Sequence, residues 1–476
     1  MIAIYIGVVA GIVYAAFSNW GYDDPFITYR YAQNFARGAG FVYNPGERIQ
    51  STTTPLFTLI LAAIYPLWPD IPHTAILVGA LSLPLGALFL WDLAHSWGTP
   101  LAGWLSLVLY PTFPLLLTTL GSETPLYLAF CLGAFAFYGR DKLELSAVFA
   151  ALAILTRPDG ALVPIILSAD YLWRVRHPIP WKPILIFLGC TLPWFIFAWV
   201  YFGSPIPVTL TVKQIQGSMT ISQRFAPGFL TILRPYSTVW YYWLEAALAL
   251  LGIWFMIRFA RRWLVLLSWT LLYFFAFSAL GVSRYFWYYA PLVPGFVVLI
   301  GLGVTAIDNL KKLKLGQNQS EPSWINHSTY ILTFVLIAVL TLGRINNLSQ
   351  LWGISDARSV IYRTVGEWLR ENTPDKVEVG MLEVGIIGYY SERPIIGFAG
   401  LIRPEVASQL TPKNDYRDAA YWVIKNNKPE YLVLHSGFFP PDKQIFVEQH
   451  CQVAQQFVGE TYGYGGDLQI YQCAYQ

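Results

Sequence analysis

Asn19-Trp-Gly-Tyr-Asp-Asp-Pro-Phe-Ile-Thr-Tyr-Arg-Tyr-Ala-Gln-Asn-Phe35 follows an apolar run, residues 2–19, long enough to be a first membrane span. The stretch places two adjacent carboxylates, Asp23 and Asp24, at the rim where hydrocarbon meets water. Desolvation and like-charge repulsion raise a carboxylate's pKa in such a place, which suits a general base. A second reading stands beside this one: Asp before Pro25 is a start signal for a helix, although a cap accounts for one aspartate and not both. Beyond the cap, Phe26, Tyr29, Arg30, Gln33 and Arg37 recur at helical spacing, the pattern of an amphipathic helix lying in the headgroup zone with aromatic anchors.

The rest of the chain fits a membrane setting. Of 476 residues, 55% are hydrophobic and 12% charged, against about 25% charged in soluble domains. Residues 344–476 hold 12 Lys/Arg and 15 Asp/Glu, so the tail is acidic and soluble in character while residues 1–343 carry a small positive excess. The formal net charge of +3 offers no concentrated basic surface, which excludes nucleic acid as a partner. Apolar runs near 2–19, 73–94, 100–118, 125–138, 144–156, 159–173, 183–202, 238–257, 263–280, 286–305 and 328–343 predict about eleven spans. The pair flanking 156–160 can equally be one re-entrant hairpin. The short run 55–68, bounded by prolines, is expected to lie in the interface, with Ser51-Thr-Thr-Thr-Pro55 as its start signal.

Orientation follows from Lys and Arg. With the N-terminus inside, the inner loops 95–99, 139–143, 174–182, 258–262 and 307–327 hold 11 Lys/Arg in 45 residues, and the outer loops hold 8 in about 102. This predicts a multi-pass plasma (inner) membrane protein with a cytoplasmic N-terminus, the loop 20–72 on the extracytoplasmic side, and the tail 344–476 as an extracytoplasmic α/β domain. The N-terminal run lacks the basic start and small-residue site of a cleaved signal and is read as a retained span. In the tail, helices are expected at 356–372 and 416–425 and strands at 376–381 and 431–434. Cys451 and Cys473 are either a disulfide, as an oxidising compartment allows, or two unrelated thiols.

Further candidates share the outer side. Glu123 sits in a very short loop and either joins the reaction centre or favours a helix N-terminus. Glu245 falls inside a span, where an acid is a functional candidate by default. Arg157 in Leu155-Thr-Arg-Pro-Asp-Gly160 can meet a lipid-linked phosphate in bidentate fashion or pair with Asp159. Lys213, Arg224, Arg234 and Arg284 complete a cationic mouth for an anionic headgroup.

The order of an N-terminal span, Asp-Asp-Pro-Phe-Ile-x-Tyr-Arg-Tyr-Ala, Asn44-Pro-Gly-Glu-Arg48, Glu123-Thr-Pro-Leu126 and Thr156-Arg-Pro-Asp-Gly160 resembles the GT-C superfamily of membrane glycosyltransferases. Within it, the chain is similar to bacterial proteins related to terminal arabinofuranosyltransferases and, more distantly, to protein O-mannosyltransferases. The tail stretch Gly385 to Leu401 resembles the extracytoplasmic domain attached to many of these enzymes. The resemblance covers nearly the whole chain. It implies a polyprenyl-phosphate-linked sugar donor and an extracytoplasmic glycan, lipid or protein acceptor. By position Asp23 or Asp24 matches the catalytic base, Glu123 a second acid near the reaction centre, and Arg157 a basic residue of the break. Members often carry Glu where Asp159 stands and Leu where Ser122 stands, which bears on donor identity more than on reaction class. One base and one displacement predict inversion at the anomeric carbon. Some members use a divalent ion; with no His cluster or Asp-x-Asp here, no metal or other cofactor is expected. A lipid or sugar transporter or flippase, or a non-catalytic protein of the same fold, would share the spans and the cations.

Overall fold

The computed structural model describes residues 1–174, 178–314, 323–411, 413 and 415–475. Parts of two expected inner loops, 175–177 and 315–322, lie outside the described residues. Among the described residues, six helices are long and apolar enough to cross a membrane: Ile71–Ser96, Trp181–Phe202, Trp240–Phe259, Arg261–Leu280, Phe286–Asn309 and Ile331–Leu351. The other five expected spans are shorter helices, including Ile2–Phe17, Thr124–Gly139 and Leu143–Thr156. Their 14 to 16 residues reach only about 21–24 Å at 1.5 Å per residue, short of the roughly 30 Å hydrocarbon layer. Proline accounts for one shortening: the run 100–118 breaks into Pro100–Leu109 and Pro114–Leu117 around Pro111, which cannot donate to the ladder.

Close packing of the bundle depends on glycine. Helices Trp240–Phe259 and Val293–Lys314 approach so nearly that a Cβ on Gly252 would lie 1.9 Å from the Leu299 carbonyl oxygen, and one on Gly303 would lie 2.0 Å from that of Leu248. Small residues at helix crossings are how membrane helices gain van der Waals contact where no hydrophobic effect drives them together.

The break at 156–160 is two helices joined by a turn. Leu143–Thr156 ends as Arg157 turns extended, a short 3-10 segment Pro158–Ala161 follows, and Leu162–Arg174 resumes.

The tail is a small α/β domain. Asp356 caps helix Ala357–Asn372, which stops before Thr373-Pro374, because the residue ahead of proline disfavours helical geometry. Strands β1 (Val379–Met381), β2 (Ile395–Gly397), β3 (Tyr431–His435), β4 (Cys451–Phe457) and β5 (Leu468–Cys473) form one sheet in the order β2-β1-β3-β5-β4. The first three are mutually parallel, and β5 runs antiparallel to β3 and β4. The expected strands 376–381 and 431–434 are β1 and β3, and helix Tyr416–Asn427 lies between them in sequence. Cys451 and Cys473 are bonded across β4 and β5, where they face each other in register.

This domain sits on the first loop. Helix Pro25–Ala36 buries every residue from Pro25 to Gln33, so its aromatic face is covered by protein and not open to headgroups as its amphipathic pattern suggests. Phe26 packs on Tyr389 and Tyr390, and the Asn44 side chain exchanges hydrogen bonds with both backbone groups of Ile395 (2.9 and 3.0 Å).

Candidate active site

Asp24 occupies the position just before Pro25, where a capping carboxylate belongs, yet its side chain makes no cap hydrogen bond. Its Oδ1 instead accepts from Lys213 Nζ at 3.2 Å. Lys213 lies on helix Thr209–Ser218, buried, with its ammonium 3.9 Å from the centre of the Tyr285 ring, so a cation–π contact also holds it.

Asp23 turns the other way. Its carboxylate accepts the backbone N–H of Gly385 (3.0 Å) and of Ile386 (2.8 Å) from the tail domain. Burial pushes its pKa up from 3.8 to about 6, against the pull of those two bonds, with Asp24 adding to the rise. The two neighbouring acids therefore have different surroundings: Asp24 faces a cavity, and Asp23 ties two domains together.

Glu123 likewise stands at a helix start without making a cap bond. Arg157 donates to Glu123 (3.3 Å), to Asp159 (3.0 Å) and to the Thr124 hydroxyl (3.2 Å). Arg157 thus pairs with Asp159 and also lines the cavity. Burial raises the Glu123 pKa while Arg157 opposes the rise.

These groups enclose a cavity of about 450 Å³. Asp24, Lys213, Glu123, Arg157 and Asp159 give it three carboxylates and two cations. Trp194 and Phe195 of the largely exposed helix Trp181–Phe202, with Ile154, Leu210, Phe277 and Leu280, form an apolar side. Leu401 of the tail domain completes the lining. A third face, Thr28, Gln50 and Ser51 through Thr54, is polar and uncharged. Its only sequence signal was the Ser51-Thr-Thr-Thr run, which does precede a helix, Pro55–Ile64, and also contributes to the cavity.

The other candidates lie elsewhere. Arg224 and Arg234 are exposed and, like Arg284, do not line the cavity. The segment 203–237 folds into Thr209–Ser218 and Phe225–Ser237, and only the first of these helices contributes to the cavity, so the expected cationic mouth narrows to Lys213 and Arg157. Arg30 is buried as a tether, donating to the carbonyls of Tyr43 (2.8 Å), Arg393 (2.6 Å) and Gly388. Glu245 is fully buried against Arg344 (2.7 Å), away from the cavity lining. Among the described residues, no three His, Cys, Asp or Glu side chains group as metal ligands.

The apolar helical bundle with a small sheet domain packed on its first loop is similar in fold to GT-C proteins. Solved structures agree over nearly the whole chain. ArnT from Cupriavidus metallidurans, bound to undecaprenyl phosphate, is similar with a TM-score of 0.64 at 14% identity, covering 99% of this chain and 98% of that one. The Archaeoglobus fulgidus oligosaccharyltransferase tethered with an acceptor peptide containing the NVT sequon gives 0.59 at 13% identity, covering 91% and 69%. The archaeal oligosaccharyltransferase AglB from the same organism, in complex with an inhibitory peptide and a dolichol-phosphate, gives 0.58 at 14% identity with the same coverage. Residues 350–471 match a domain of unknown function (DUF8728). No curated protein sequence matches the chain.

Proposed function

We propose that this chain is a membrane glycosyltransferase that moves a sugar from a polyprenyl-phosphate donor to a hydroxyl of an extracytoplasmic glycan, lipid or protein. The observation that carries the reading is Asp24, a carboxylate on the wall of a part-apolar cavity, 3.2 Å from a buried lysine. Solved structures of the same fold hold undecaprenyl phosphate or a dolichol-phosphate, which supports a lipid-linked donor. Asp24 takes the proton of the acceptor hydroxyl as the acceptor oxygen bonds to the anomeric carbon. The bond from that carbon to the phosphate oxygen breaks, and polyprenyl phosphate leaves with the electron pair, its charge met by Lys213 and Arg157. A single displacement inverts the anomeric centre. Glu123 and Asp159 hold the Arg157 guanidinium in place.

A divalent metal does not fit this donor set. Asp24 already faces Lys213, and Glu123 and Asp159 share Arg157, so each carboxylate that would bind the ion has a cation beside it. We therefore expect turnover to survive a chelator. The reaction is placed on the outer face of the inner membrane, with the N-terminus cytoplasmic. The Lys/Arg asymmetry of the loops and the Cys451–Cys473 disulfide support that orientation.

The test is transfer or release from radiolabelled polyprenyl-phosphate sugars by the full-length protein in detergent. Asp24→Asn should lower kcat by about 10²–10⁴-fold, while Asp23→Asn should retain turnover. Unchanged turnover in Asp24→Asn would retire the mechanism.

A further inference from the structure

Two polar atoms on the cavity's lining residues have no hydrogen-bond partner among the described residues although their side chains are buried, Gln50 Oε1 and Thr209 Oγ1, and the Ser51 hydroxyl beside them, in contact with the Tyr31 hydroxyl, keeps further hydrogen-bonding capacity. Gln50, Ser51 and Thr209 are 4%, 3% and 8% exposed, so bulk water does not serve them in the usual way. Leaving a buried donor or acceptor unpaired is costly, and native proteins keep few such groups. The backbone beneath them is well held. The Gln50 carbonyl accepts from Val208 N at 3.1 Å, and Ser51 N donates to the Tyr31 hydroxyl at 3.0 Å. The main chain is thus anchored while the side chains keep hydrogen-bonding capacity.

Beside them, the hydroxyls of Thr28, Thr52 and Thr54 form a triangle with sides of 3.3, 3.0 and 3.1 Å. Three hydroxyls closed on one another use one proton each and keep lone pairs to spare. This face therefore offers an amide oxygen and several hydroxyls but no charged side chain. The cavity's charges stand on other residues and face one another, Asp24 with Lys213 and Glu123 and Asp159 with Arg157.

We propose that Gln50, Ser51 and Thr209 form the sugar-recognising wall of the cavity, and that the transferred sugar is neutral and hydroxyl-rich, a hexose or pentose without an amino or carboxyl group. The inference rests on the glycosyltransferase reading and specifies its substrate class. Ring hydroxyls both donate and accept, so they satisfy Gln50 Oε1, Ser51 Oγ and Thr209 Oγ1 together. An ammonium or carboxylate on the sugar would meet no opposite charge on this wall. Asp159 Oδ2 also lacks a partner among the described residues, but its carboxylate already shares the Arg157 charge.

The experiment measures binding of four probe lipids to the full-length protein in detergent: bare polyprenyl phosphate, and polyprenyl phosphate carrying a neutral hexose or pentose, a 4-amino-pentose, or a hexuronate. The neutral-sugar lipid should bind about tenfold or more tighter than the bare lipid, and tighter than both charged-sugar lipids. In the Ser51→Ala/Thr209→Val double variant that sugar-dependent gain should fall about tenfold, with bare-lipid binding unchanged. Equal binding of bare and neutral-sugar lipids overturns the wall, as does preference for a charged sugar or an equal loss for both lipids in the variant. Failure of every lipid, bare polyprenyl phosphate included, overturns the glycosyltransferase reading itself. The wild-type panel decides the sugar class even if the double variant does not fold.

Discussion

The carboxylate of Asp23 accepts the backbone N–H of Ile386, 363 residues further along the chain, at 2.8 Å. With the matching bond from Gly385 N, the first loop thereby holds the start of a short helix in the tail domain. The fit is tight: a Cβ on Gly385 would lie 1.8 Å from the Asp23 carbonyl oxygen. Asp23→Ala removes both acceptors and leaves two N–H groups without them, which should cost about 1–3 kcal/mol of domain docking. Limited proteolysis should release the tail domain faster from this variant, while kcat of the intact fraction stays well above that of Asp24→Asn. A kcat as low as that of Asp24→Asn would return Asp23 to the reacting atoms.

The same contact should respond to pH. Asp23 is raised from 3.8 to about 6 and Glu383 from 4.5 to about 7, both chiefly by burial, with each carboxylate raised further by an acidic neighbour and lowered by Arg358. Tyr362 also hydrogen-bonds Glu383, and the acidic neighbour that raises Asp23 is Asp24. A carboxyl whose pKa is higher folded than unfolded holds its proton better in the folded state. Its contribution is complete below the unfolded value and is lost as pH rises through the folded one. Docking should therefore be firmer at pH 5 than at pH 8, by an amount on the order of 1 kcal/mol if Asp23 acts alone. Thermal unfolding at the two pH values measures it, and Asp23→Asn should shrink the difference. A difference that survives in Asp23→Asn assigns it to other groups.

Much of this arrangement was legible in the sequence because a membrane imposes a simple demand. Backbone groups in lipid must be satisfied within the segment, so apolar runs read as helices, and most of the expected runs are helices here. The acids at the rim, Glu123 and Arg157 were legible by residue type and position. What was hidden are choices between equals. Asp23 and Asp24 are chemically identical, and only Gly385 and Lys213, both distant in sequence, separate them. Arg224, Arg234 and Arg284 carry the same charge as Lys213, but the fold of 203–237 and the chain after it keeps them out of the cavity lining. The threonines of 52–54 announced a helix start, and their second role requires Thr28 to be brought alongside.

Glu245 and Arg344 test the difference between a buried acid that reacts and one that is structural. Arg344 is fully buried, donates to Glu245 at 2.7 Å, and stacks over the Phe113 ring at 4.7 Å. Arg344→Met strands the glutamate and should destabilise the protein by about 3–5 kcal/mol. The double variant Glu245→Leu/Arg344→Met removes both charges and should recover most of that loss, because such a pair costs about as much to desolvate as it returns. Melting temperatures in detergent read this directly, and transfer per folded molecule should match the wild type in the double variant. Loss of transfer in a well-folded double variant would restore Glu245 as a functional acid.

Gly252 and Gly189 make a matched pair for the bundle. Both are in apolar helices, but a Cβ at position 252 would lie 1.9 Å from the Leu299 carbonyl oxygen, whereas one at 189 meets nothing within 4 Å. The obstacle at 252 is backbone, so no rotamer change relieves it and the two helices must separate. Gly252→Ala should lower stability by about 1–3 kcal/mol, the usual cost of overpacking. Gly189→Ala should instead raise it by up to about 1 kcal/mol, since alanine is the better helix former and nothing opposes it. The two substitutions thus carry opposite signs for the same added methyl group. Equal melting temperatures for the two variants would mean that helices Trp240–Phe259 and Val293–Lys314 do not pack at the distance described.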